Sequence, residues 1–176
     1  MFVANRMTKN PVTVTPDTTV DEAALAMKKG HFCRLPVVEA GKLVGFLSDK
    51  DIMKVMPSPA TTLSRFEERS LLARLKISEI MQRNVISVDE DATVEEAALI
   101  MYNHKIGGLP VVSSVGVVVG VITETDIFKT FVDVMGLQNG KTRLTLLVDN
   151  KVGVVHDVAG IFTECGLSID SRVTCR

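Results

Sequence analysis

The chain repeats itself, and this limits what it can fold into more than any other feature. Met7-Thr8-Lys9-Asn10-Pro11-Val12-Thr13-Val14 aligns with Met81-Gln82-Arg83-Asn84-Val85-Ile86-Ser87-Val88 at an offset of 74 residues. Thr19-Val20-Asp21-Glu22-Ala23-Ala24-Leu25-Ala26-Met27 aligns with Thr93-Val94-Glu95-Glu96-Ala97-Ala98-Leu99-Ile100-Met101 at the same offset, and Leu35-Pro36-Val37-Val38 with Leu109-Pro110-Val111-Val112. One inserted residue later, Gly45-Phe46-Leu47-Ser48-Asp49-Lys50-Asp51-Ile52 aligns with Gly120-Val121-Ile122-Thr123-Glu124-Thr125-Asp126-Ile127. Roughly twenty identities in about fifty positions mark two copies of one structural unit, which must pack together to bury a continuous core.

Each copy carries the same local signals. Thr19-x-x-Glu22 and Thr93-x-x-Glu96 are capping boxes. Val20, Ala23, Ala24 and Met27, like Val94, Ala97, Ala98 and Met101, fall on one apolar helix face. An apolar strand follows (Leu35 to Val38, Leu109 to Val112). A turn at Gly41 or Gly116 then leads to a second strand (Leu43 to Leu47, Val117 to Ile122), and a helix follows Asp51 or Asp126. In copy two the apolar face of that helix is Phe128, Phe131, Val132 and Met135, with Gly136 as its stop. The expected fold class is α/β (α+β): two pseudo-symmetric β-α-β-β-α units. Their bounds are 1–56 and 77–136, joined by a helical linker over 57–76, with a further segment at 141–176. Pro57-Ser58-Pro59 breaks the preceding helix, Ser64-x-x-Glu67 is a third capping box, and Arg65 to Lys76 holds good helix formers. That linker reads equally as a helix lying across the module, a reach to a partner subunit, or a solvated connector.

Composition narrows the function. Twenty Lys and Arg against twenty-one Asp and Glu leave no basic excess for nucleic acid, and Tyr102 is the sole Tyr in a chain without Trp, so base-stacking platforms are scarce. No apolar run is long enough to span a membrane and no secretory signal is expected at Met1 to Arg6. Cys33, Cys165 and Cys175 are odd in number and scattered, which fits a reducing cytoplasm. His31, His104 and His156 lack metal spacing, and the chain has no phosphate-loop, dinucleotide or nucleophile-elbow motif. An enzyme is therefore not expected.

The tandem order Met-Thr-x-Asn, Thr-Val-x-Glu-Ala, Leu-Pro-Val-Val and Gly-h-h-[Ser/Thr]-x-x-Asp (h is hydrophobic) resembles the CBS domain, over about residues 1–135. That resemblance implies a Bateman module: paired units whose clefts bind adenosine-containing ligands, assembled as a homodimer and acting as a regulatory sensor without chemistry of its own. The tail resembles half of an ACT unit. Thr142 to Asp149 reads as a strand, Val155, Val158, Ala159 and Phe162 mark a helix face, Cys165-Gly166 closes it, and Leu167 to Val173 reads as a second strand. Together the parts resemble the acetoin-utilisation protein B family. An alternative follows from the tail, in which it senses an amino acid or small effector and the CBS pair is a dimerisation scaffold.

The sharpest local signals are Ser48-x-x-Asp51 and Thr123-x-x-Asp126, each where a buried strand gives way to a helix. A carboxylate there can accept from both hydroxyls of a ribose, with Ser48 or Thr123 adding one more bond. The same Asp read as a helix N-cap is the competing account, and one residue can serve both purposes. By the family resemblance the adenine slot falls to Val12, Thr13, Val14, Leu35 and Pro36 in copy one, and to Ile86, Ser87, Val88, Leu109 and Pro110 in copy two. Phosphates need cations near the mouth; His31 and Arg34 precede the strand in copy one, His104 and Lys105 in copy two. Copy two carries Gly107-Gly108 where copy one has Cys33-Arg34, so the two clefts are expected to differ. The expected ligand is AMP, ADP, ATP or S-adenosylmethionine, acting as a regulator and not as a cofactor, with Mg only where it accompanies ATP. A regulated enzyme is a further candidate partner.

Overall fold

The structure is a computed structural model and describes residues 1–56, 72–136, 144–149 and 151–169. The chain divides into two units, Met1–Asp126 and Ile127–Arg176. The first opens with a 3-10 turn (Val3–Asn5) and a short strand β1 (Thr8–Lys9), then helix α1 (Val20–Gly30), strands β2 (Arg34–Glu39) and β3 (Lys42–Ser48), and helix α2 (Asp49–Val55). After the linker the order recurs as α3 (Ile77–Ile80), β4 (Val88–Asp89), α4 (Val94–His104), β5 (Gly108–Val112), β6 (Val118–Thr123) and α5 (Glu124–Val134).

Helix α1 starts where its sequence says it should. The Thr19 hydroxyl accepts from the Glu22 amide at 3.3 Å, and the Glu22 carboxylate accepts from the Thr19 amide at 2.9 Å. Thr93 and Glu96 repeat the box at the head of α4. Acidic residues in the first turn and Lys28 and Lys29 in the last complement the helix dipole. Val20, Ala23 and Met27 are buried with Leu35, Val37, Leu47, Ile52 and Ile77 in one apolar cluster. Burying each large apolar side chain in such a cluster contributes about 1.5–3 kcal/mol. Copy two buries the corresponding Val94, Ala97, Met101, Leu109, Val111 and Ile122.

The two copies exchange the first part of their leading segments. Strand β1 of copy one is not on β3; it pairs antiparallel with β6 of copy two, Thr8 opposite Val121. Gln82, the counterpart of Thr8, instead bridges Phe46 on β3 of copy one. The exchange extends to individual bonds. Val3 N donates to Ala92 O at 2.8 Å and Ile77 N to Thr18 O at 2.9 Å, while Val94 N donates to Met1 O at 2.7 Å and Val20 N to Leu75 O at 2.9 Å. Each sheet thus gains a strand from the other copy's leader, β1 beside β6 and Gln82 beside Phe46, while Val14 and β4 stay with β2 and β5 of their own copies.

Two expectations are corrected. The helix expected to run through Lys76 does not, because Lys76 bridges Thr19 in extended backbone, as Phe2 bridges Thr93. The Ser64–Glu67 box and the rest of 57–71 lie outside the described residues. In the second unit, residues 144–149 form no strand among the described residues: Leu144, Leu146 and Leu147 are exposed, and a strand needs a neighbour to take its amides and carbonyls. Helix α6 (Val154–Glu164) does form, closed by Gly166 at φ 69°, yet it buries no residue. The end of the second expected strand lies outside the described residues. Helix α5 forms as expected, but Phe128 and Phe131 on its apolar face are exposed.

Candidate functional site

The copy-one site is assembled at one end of its sheet. Strand β3 runs antiparallel to β2, so Ser48 at its last position lies opposite Arg34, the first residue of β2. The Asp49 amide donates to the Cys33 carbonyl at 2.9 Å and closes the turn into α2. The leading segment runs parallel to β2: Val14 N donates to Pro36 O at 3.1 Å and Val38 N to Val14 O at 2.8 Å. Val12 and Thr13, one step earlier, therefore fall at the same end as Arg34 and Ser48. Pro36 lacks the N–H that would continue this ladder to the Val12 carbonyl. The proline thus offers the Val12 carbonyl no backbone donor from β2.

Asp51 is buried at this end and is densely bonded. One carboxylate oxygen, Oδ2, accepts from the Ser48 hydroxyl at 2.6 Å and the Ser48 amide at 3.1 Å, while Oδ1 accepts from Lys54 Nζ at 2.9 Å. The Ser48 hydroxyl in turn accepts from the Asp51 amide at 3.3 Å. Reading Asp51 as the N-cap is corrected here: Ser48 is the cap, and Asp51, three residues on, closes a capping box. Burial pushes the Asp51 carboxyl up. The hydrogen bonds from the Ser48 hydroxyl, Lys54 and the Ser48 amide, with the Lys54 charge, outweigh that and hold its pKa below the ordinary carboxylate value. Lys54 is not among the candidates from sequence; its signal is the three-residue spacing from Asp51, repeated by Lys129 after Asp126.

Copy two repeats the geometry with one substitution of consequence. Asp126 Oδ2 accepts from the Thr123 amide at 2.8 Å and the Thr123 hydroxyl at 2.7 Å. Gly108 lies opposite Thr123, and the Glu124 amide donates to the Gly107 carbonyl at 3.2 Å. Strand β4 runs parallel to β5 with Val88 opposite Val111, so Ile86 and Ser87 fall at this end, and Pro110 interrupts the ladder as Pro36 does. Arg34 does not stay with its own copy. Its side chain lies over Gly107 and Gly108, where added Cβ atoms would run into its Nη2, Cδ and Nε.

The other cations nominated from sequence sit at the C-terminal ends of α1 and α4. His31 and Lys105 are the exposed C-caps of α1 and α4, both left-handed at φ 54° and 56°. The Lys105 ammonium lies 4.3 Å from the centre of the Tyr102 ring. His104 is the exposed last residue of α4. Among the described residues, neither His31 nor Lys105 is bonded to the Ser48–Asp51 or Thr123–Asp126 boxes, and no group of three or more His, Cys, Asp or Glu could hold a metal ion. No helix among them is long and apolar enough to cross a membrane.

A duplicated sheet end of this kind, with a hydroxyl–carboxylate box closing each β–α turn, is matched by a known family. The sequence profile of the CBS domain fits residues 3–58 and again residues 77–133. The chain belongs to the CBS domain family. Among curated relatives, the uncharacterized protein MJ1225 of Methanocaldococcus jannaschii is 35% identical over 131 residues, which cover 71% of this chain; the match spans about half, 47%, of that relative's length. Among solved structures, the CBS domain pair of protein MJ0100 in complex with 5′-methylthioadenosine and S-adenosyl-L-methionine matches with a TM-score of 0.62 and 33% identity, covering 74% of this chain and 95% of that one. A protein assigned to acetoin utilization (AcuB) from Vibrio cholerae matches with a TM-score of 0.64 and 30% identity, covering 81% of this chain and 98% of that one. The mixed α/β CBS-pair fold, a Bateman module, is therefore the fold of this chain, and structures of that fold hold adenosine ligands.

Proposed function

We propose that this CBS pair is a regulatory sensor that binds an adenosine-containing ligand in its two clefts and performs no chemistry on it. The observation that carries this reading is the convergence, at one end of each sheet, of a carboxylate preset by its capping box and a strand whose ladder is interrupted by proline. Asp51 and Asp126 take the ribose hydroxyls, with Ser48 and Thr123 beside them. At Asp51 this displaces Lys54 from Oδ1, which frees an ammonium for an anionic group on the ligand. Thr13, Val14 and Pro36, and Ile86, Ser87 and Pro110, flank the adenine, whose amino group suits the carbonyl to which each proline offers no backbone donor. Arg34 faces the phosphates; His31 and Lys105 contribute charge from the helix ends. The adenosine ligands held by the MJ0100 pair support this reading. AMP, ADP, ATP and S-adenosylmethionine are the candidates, with Mg only alongside ATP.

The module works in the cytoplasm as a homodimer that passes ligand occupancy to a regulated enzyme. Supporting dimerisation, exposed apolar residues recur at equivalent positions: Leu25 and Leu99, Met53 and Phe128, Met56 and Phe131. Isothermal titration with AMP, ATP and S-adenosylmethionine is the test. Asp51→Ala and Asp126→Ala combined in one chain weaken binding by about 1 kcal/mol or more; no loss in that double variant refutes the ribose assignment. Sedimentation of the same samples reads a dimer, and a monomer at micromolar concentration removes that part of the reading.

A second reading rests on the tail. Helix α6 buries no residue and Leu144, Leu146 and Leu147 beside it in sequence are exposed, apolar surface that an ACT-like unit would use. Similarity to AcuB over 81% of the chain supports a place in the acetoin-utilisation protein B family. Amino-acid binding that is lost on removing residues 142–176 favours a tail sensor with the CBS pair as scaffold; its absence refutes that reading.

A further inference from the structure

Arg34 and Gly108 occupy equivalent positions in the two copies, as do Cys33 and Gly107. In the fold these positions meet. A Cβ on Gly108 would stand 2.8 Å from both Cδ and Nε of Arg34; a Cβ on Gly107 would collide with its Nη2 and stand 2.8 Å from Glu124 Oε2. The paired glycines are thus the bed on which the guanidinium lies. A second arginine at position 108 would demand the same space and bring like charges together. At these two equivalent positions there is one guanidinium where symmetry would supply two.

Its backbone and its head lie beside different boxes. Arg34 pairs with Ser48 across β2 and β3, beside the Asp51 box. Its head lies against Gly107 and Gly108, and Gly108 pairs with Thr123 beside the Asp126 box. We propose that Arg34 is a single cation shared by both clefts, so that a phosphorylated adenosyl ligand in either one weakens binding of a second in the other. The proposal deepens the adenosine-sensor reading and rests on it. A guanidinium grips one phosphate bidentately with fixed geometry. The second phosphate then meets a donor already engaged. A ligand without a phosphate makes no claim on Arg34 and fills both clefts independently.

The test is calorimetric titration of the full chain with AMP and with adenosine. Wild type takes one AMP per chain tightly and a second at least about tenfold more weakly, while two adenosines bind without that gap. Asp51→Ala and Asp126→Ala, each disabling one cleft, both keep one tight AMP in the cleft that remains. Arg34→Gln weakens the first AMP about tenfold and closes the gap to the second, whereas Arg34→Lys keeps the order of affinities. Equal AMP sites in wild type, or a gap that survives Arg34→Gln, overturns the shared cation. So does a tight site that survives in only one of the two Asp variants, since Arg34 would then belong to a single cleft. The comparison of AMP with adenosine on wild type needs no variant to fold. Failure of AMP and adenosine to bind overturns the shared cation, and failure of ATP and S-adenosylmethionine as well refutes the sensor reading itself; binding of both AMP and adenosine without coupling refutes only the shared cation.

Discussion

At the scale of single residues, Asp51 shows how one side chain can hold a fold and await a ligand. Its Oδ2 is committed to Ser48 and its Oδ1 to an exposed lysine, so the structural bond is local and the exchangeable one faces outward. Because folding lowers its pKa, Asp51 adds stability that is complete above its unfolded value, about 3.9, and that is lost as pH falls below it toward the folded value. Thermal unfolding followed from neutral pH downward should therefore show a steepening loss below about pH 4 that Asp51→Asn reduces. An unchanged acid limb in Asp51→Asn would mean the carboxylate contributes nothing. The Ser48-x-x-Asp51 spacing makes this pair legible in the sequence alone. The reach of Arg34 is not, because a side chain that crosses to equivalent positions 74 residues away leaves no mark on its own neighbourhood in sequence.

At the scale of elements, glycines inside two strands record where the exchanged leaders lie. A Cβ on Gly45 would collide with Sδ of Met81, and one on Gly120 with Sδ of Met7. Each glycine belongs to one copy and each methionine to the leader of the other. Gly45→Val and Gly120→Val should each destabilise by about 1–3 kcal/mol through overpacking, read by chemical denaturation. Pairing Gly45→Val with Met81→Ala should recover part of the loss; a strictly additive double variant would show that the two do not touch in solution. The helices of the repeats are legible from their capping boxes, since the bonds that start them join residues three apart. The tail strand over 144–149 is not decidable that way. Its apolar run satisfies the pattern of a strand, but a strand also requires an adjacent ladder, and pattern alone does not reveal whether one is present.

At the scale of the whole molecule, the repeat predicts two units but not their reciprocal pairing. The offset shows that Thr8 and Gln82 are equivalent; it does not show that each sits on the other's sheet. Residues 77–136 expressed alone would leave the edge of β6 without Thr8–Lys9 and keep a leader with no β3 to join. Circular dichroism and size-exclusion chromatography should show such a piece either unfolded or paired with a second copy of itself. A folded monomer would contradict the interdependence inferred from the bonds at Val3, Val20, Ile77 and Val94.

That reciprocity also fixes where this protein can be recombined. A chimera cut within 57–76 would graft a foreign half onto leaders shaped for a different mate, and both grafts would arrive mismatched. Crossovers placed after each leader, between Lys9 and Thr19 and between Arg83 and Thr93, would instead transplant each sheet together with the strand that finishes it.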